Sequence, residues 1–180
     1  MNIRLSISIF SLLLALIGGA CRSAEAANPE IVGSAGFSNR VHEALVLLKS
    51  RDTNAYNMVT NYVGRIKEAE RTGMWAYKKP PTYEMSLKTA AYSVTWCAAT
   101  IAHDSFHSKL YHDYRKAHGG SVPDSVWTGT TAEKECMKHQ LLVMESIGAP
   151  KWELDHARKQ TDGHYVKDGE TWEEYKNRKW

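Results

Sequence analysis

Eleven consecutive residues, Tyr92 to Ala102, are apolar or small whichever way a helix would present them. A helix without a polar face belongs at the centre of a fold, covered on every side. The pattern predicts that this helix runs from about Ser86 to His118, where Gly119-Gly120 supplies a stop. Other elements must therefore be arranged around it.

Those neighbours also read as helices. Ser38 can cap a helix through Lys49, with Val41, Ala44, Leu45 and Leu48 on one face. A second stripe, Tyr56, Val59, Tyr62, Val63 and Ile66, predicts a helix from Thr53 to Arg71. Gly73 to Thr82, with Pro80-Pro81, reads as a loop. Thr130 to Ile147 forms the next helix, with Gly148 as its stop, and Pro150 suits the first turn of a short helix to about Lys159. Thr171-Trp172-Glu173-Glu174 has the form of a capping box and opens a final helix to Trp180. No alternation long enough for a strand is found. The expectation is an all-α, single-domain helical bundle around the long buried helix.

Composition narrows the class of function. The formal net charge is only +3 and no long basic block occurs, which argues against nucleic acid as a partner. Six Trp, nine Tyr and three Phe, spread along the chain, exclude a disordered polymer. Residues 1–26 read as a secretory signal peptide: a positive start ending at Arg4, an apolar stretch from Leu5 to Ile17, and Ala24-Glu25-Ala26 as a small-residue cleavage site. That stretch is shorter than the ~20 residues of a spanning helix. Cys21 offers a lipid anchor as an alternative to cleavage, although Gly18 stands where a lipobox has Leu. The expected location is periplasmic or secreted, with residues 27–180 as the folded domain.

Where the buried helix turns polar it reads Ala102-His103-Asp104-Ser105-Phe106-His107. Histidines at i and i+4 share one helix face, so both imidazoles can reach one metal ion. Asp104 lies about 100° round from His103, beside the ion, where its carboxylate could orient and deprotonate a water. This is the logic of H-E-x-x-H with Asp for Glu. An isolated H-x-x-x-H is also compatible with a plain hydrogen-bonded pair. Its place at the end of an apolar helix favours the metal, because unpaired polar groups there are costly.

A third ligand must come from elsewhere. Asp113 has the spacing of a longer zinc motif, but Leu110 stands where that motif needs Gly, so Asp113 points away. Glu133 is the better candidate. On a wheel advancing about 100° per residue from Ala132, it falls within the arc of Cys136, Val143 and Met144, whereas Glu135 faces solvent. Glu133 could instead be the N3 residue of a capping box begun by Thr130. Gln140 shares the same face. An antiparallel crossing of the two helices puts Cys97 and Cys136 on the same side of the ion. That predicts a Cys97–Cys136 disulfide in exported protein, with two buried free thiols as the alternative.

H-x-x-x-H followed on a later helix by Glu133-x-x-Cys136 resembles the zincin metallopeptidases, in the gluzincin arrangement, and similar domains of secreted bacterial proteins. The matching motifs cover about 45 residues in the middle of the chain. The resemblance implies Zn²⁺ held by His103, His107 and Glu133, Asp104 as general base, and a peptide or protein substrate. Asp104 is one methylene shorter than the Glu of that family, and Cys136 replaces its usual Ala. A non-catalytic metal-binding or interaction module of the cell envelope, and a secreted toxin or effector, remain alternatives. Asp162 to Gly169 has the outline of a calcium loop, but His164, Val166 and Tyr175 would occupy ligand positions, so a turn is the better reading.

Overall fold

The computed structural model describes residues 27–159. The signal peptide, Cys21, the turn at Asp162 to Gly169 and the final helix opened by Thr171 all lie outside the described residues. In chain order the elements are β1 (Glu30–Val32), α1 (Ala35–Arg51), α2 (Thr53–Tyr62), β2 (Arg65–Ala69), β3 (Gly73–Trp75) and β4 (Thr82–Ser86). They continue with α3 (Leu87–Tyr92), α4 (Val94–His118), α5 (Asp124–Trp127), α6 (Gly129–Ser146) and α7 (Lys151–Lys159).

The fold is therefore mixed α and β, and the all-α expectation is corrected. Four strands form one sheet in the order β1-β2-β4-β3. β1, β2 and β4 run parallel, and β3 pairs antiparallel with β4 at the edge. β4 is thus inserted between the two strands that precede it. The helix expected from Thr53 to Arg71 stops at Tyr62, where Val63 turns extended. The next two amides, Gly64 and Arg65, both donate to the Pro81 carbonyl and start the β2–β4 pairing. Ile66 belongs to the core, but through the sheet rather than through a helical stripe. The expected loop from Gly73 to Thr82 contains β3.

The long helix is also divided. Ser93 is fully extended (φ −163°, ψ 168°), and its Oγ accepts the Trp96 amide at 2.8 Å. This N-cap starts α4 afresh. At the other end Gly119 has φ 68°, and Gly148 beyond α6 has φ 77°; both are left-handed conformations that favour glycine. These two stops stand where the sequence put them. The α1 cap is Ser34, whose Oγ faces the Phe37 amide, rather than Ser38.

α4 is the central element, packed against α1, α2, α3, α5, α6 and the β3–β4 edge. Cys97, Ala98, Ala99, Ile101 and Ala102 are fully buried. Phe37, Val41, Leu48, Val59, Ile66 and Tyr83 supply the surrounding core from α1, α2 and the sheet. α7 docks through a buried polar contact, Thr95 Oγ1 donating to Glu153 Oε2 at 2.6 Å. No helix among the described residues is long and apolar enough to cross a membrane.

Ile101 is fully buried at the middle of this arrangement. Ile101→Ala is expected to lower unfolding free energy by about 2–5 kcal/mol in urea titrations. Val46→Ala, on an exposed position of α1, should change it by less than ~0.5 kcal/mol. Equal effects at the two positions would contradict the packing described.

Candidate metal centre

Two helices bring the donors together. α4 presents His103 and His107 one turn apart, and α6 presents Glu133 opposite them. The two imidazole Nε2 atoms stand 3.1 Å apart. Glu133 bridges them, with Oε2 at 3.2 Å from His103 Nε2 and Oε1 at 3.3 Å from His107 Nε2. The three residues singled out in the sequence thus meet at one point, and Glu133 serves no capping box. The α6 N-cap is Thr128, without a side-chain cap bond.

The orientation of His107 is fixed from behind. Its Nδ1 lies 2.6 Å from the Trp127 carbonyl oxygen. A carbonyl can only accept, so Nδ1 carries the proton and, in the neutral ring, the Nε2 lone pair faces the cluster. This backing of a histidine by a carbonyl is the usual support for a metal-ligating imidazole. Trp127 ends α5, so the short segment before α6 serves to place that carbonyl. His103 Nδ1 is buried without a hydrogen-bond partner among the described residues.

The spacing fits a small divalent cation. Tetrahedral zinc with bonds of about 2.0 Å needs its ligand atoms about 3.3 Å apart; the two Nε2 atoms are 3.1 Å apart, and each faces its own Glu133 oxygen, at 3.2 and 3.3 Å. A neutral His103 can donate through Nε2–H to Glu133, but the His107 Nε2 lone pair then faces the other Glu133 oxygen, a repulsion that a proton or a bound cation would relieve. A proton supplies that positive charge when no ion is bound. Burial alone would push the His107 pKa down, but its bonds to Cys136 and Glu133 outweigh this and hold it well above the ordinary histidine range. Burial would likewise push Glu133 up, but its bonds to the two imidazoles hold it well below the usual carboxylate range. His103 and Glu133 keep 13% and 21% of their side-chain exposure, so the cluster is reachable from solvent.

Asp104 is buried beside this group, close enough to feel the charges of His103, His107 and Glu133. Burial raises its pKa, against the pull of the two histidines. On the sheet side stands Tyr83, whose buried hydroxyl has no hydrogen-bond partner among the described residues and whose pKa is raised by burial and by the Asp104 charge. Asp113 lies on the exposed side of α4, accepting from Tyr62 and Lys109.

The cysteines do not pair; Cys97 and Cys136 are both free and buried. Six residues at about 100° each place Cys97 about 120° round α4 from His103. Its side chain accordingly enters the core with Val41 and Ala44 of α1. Burial there pushes its thiol pKa up to about 12. Cys136 instead faces His107, and His103, His107 and Cys136 form a group whose ligand atoms all lie within 4.8 Å of one another, which could hold a metal ion. Sequence reasoning assigned Cys136 to a disulfide and missed it as a donor. The signal was its i+3 relation to Glu133, which puts both on one face of α6.

Comparison of the chain with family models, with curated proteins and with solved structures gives no match.

Both thiols should be protected from alkylation in the folded protein and labelled in guanidinium chloride without reductant, as peptide mapping would show. Recovery of a Cys97–Cys136 cross-linked peptide would contradict the structure.

Proposed function

We propose that this protein is an exported zinc hydrolase of the peptidase type, with His103, His107 and Glu133 holding the ion and Asp104 as general base. The observation that carries the proposal is the convergence of two imidazole nitrogens 3.1 Å apart with a Glu133 oxygen within 3.3 Å of each, a donor set and spacing that suit zinc. The zincin-like order of the motifs adds to it: two histidines at i and i+4, a carboxylate after the first, and a further carboxylate from a later helix.

Zinc in such a site supplies a Lewis acid and makes a water nucleophilic at neutral pH. The protein groups divide the remaining work. His107, backed by the Trp127 carbonyl, and Glu133, bridging both rings, fix the position of the charge. Asp104, buried one residue after the first ligand, accepts the proton lost by water and returns it to the leaving amine. Burial keeps that carboxylate more basic than usual, which suits proton transfer near neutral pH.

One observation favours a second reading. Cys136 forms with His103 and His107 a group that could hold a metal ion; joined to Glu133 it would make four protein ligands, and sites closed by four protein ligands are structural rather than catalytic. A metal-binding module of the cell envelope would use the same residues without turnover.

Metal analysis of the purified protein is expected to find about one zinc per chain, lost in the His103→Ala, His107→Ala variant. Metal-free protein after zinc supplementation would refute the proposal. Asp104→Asn separates the two readings. It should keep the zinc while hydrolysis of a fluorescently labelled casein falls about 10²–10⁴-fold. Zinc-bound wild type without hydrolysis of any peptide mixture would leave the binding module.

A further inference from the structure

We infer that Cys136 is a protein ligand of the ion together with His103 and His107, its thiolate taking up a coordination position beside Glu133. The inference rests on the zinc reading above.

Geometry carries it. Cys136 follows Glu133 by three residues, and side chains at that spacing are neighbours on one helix face. Its sulfur lies within 4.8 Å of a ring nitrogen of each histidine. The corresponding edge of a zinc tetrahedron, with one Zn–S bond of about 2.3 Å, is about 3.5 Å. Shifts of well under ~1 Å by each donor towards a common centre close that gap. The thiol is fully buried and unpaired, since Cys97 lies on another face of α4.

Charge points the same way. Two neutral imidazoles, one carboxylate and one thiolate balance a divalent ion, and a neutral cluster is the least costly to bury. The thiol releases its proton to solvent as the sulfur binds, as zinc–cysteine ligation requires. A donor set of this composition suits a soft or borderline cation such as Zn²⁺ over Mg²⁺ or Ca²⁺, which take oxygen donors.

The test uses the purified chain, stripped with chelator and reloaded with one equivalent of cobalt(II). A thiolate-to-cobalt charge-transfer band is expected in the near ultraviolet. Cys136→Ser should retain one cobalt but lose the band. Because a Cys136 variant could fail to fold, a Cys21→Ser, Cys97→Ser chain gives the complementary readout: Cys136 is then the only thiol, and the band should persist. Cobalt bound at one equivalent without the band, and lost in His103→Ala, would overturn the role of Cys136 and leave the zinc reading intact. Failure to bind cobalt or zinc at all would overturn both.

Discussion

The burial of α4 constrains everything else. A helix apolar through Ala102 has to be surrounded, and here helices and a sheet edge surround it. Burial does not stop where the apolar run stops: Asp104, Ser105, His107 and Ser108 are all buried as well. Ser105 and Ser108 satisfy their hydroxyls locally, donating to the carbonyls of Ala102 and Tyr62. His107 uses one nitrogen on Trp127. The two imidazoles and Glu133 converge, and a proton or a cation among them would relieve the repulsion of their remaining lone pairs. The site is the polar end of a helix that the fold cannot leave in water.

How far the sequence discloses this depends on the length of each signal. α1 and α6 could be read because their apolar positions recur at helical spacing, with Gly148 in the left-handed conformation beyond α6, and α7 because Pro150 suits a first turn. The sheet could not. Its strands have three to five residues, too short for alternation to be seen. β4 buries Thr82, Tyr83 and Met85, so its pattern is nearly continuous rather than two-fold. In β2 the single core residue, Ile66, sits at helical spacing from Tyr62 and Val63, so a helical stripe ran on through a strand.

The site was more legible than the fold because it is carried by local spacing on two helices. His103 and His107 at i and i+4, and Glu133 on the apolar arc of α6, meet within 3.1–3.3 Å. Cys136 was misread because the disulfide argument fixed distance along the helix axes and left rotation about them free. Cys97 turns towards α1, and Cys136 turns towards His107. The Trp127 carbonyl and the Tyr83 hydroxyl had no signal, since backbone groups and sheet residues reach the site only through tertiary structure.

The central claim is that these donors are arranged about a cation. Anomalous scattering at the zinc edge from crystals grown with equimolar zinc tests it most directly. The account predicts one strong peak within about 2.0–2.2 Å of His103 Nε2, His107 Nε2 and a Glu133 oxygen. No peak between α4 and α6, with the histidines and Glu133 still in direct hydrogen-bond contact, would contradict it.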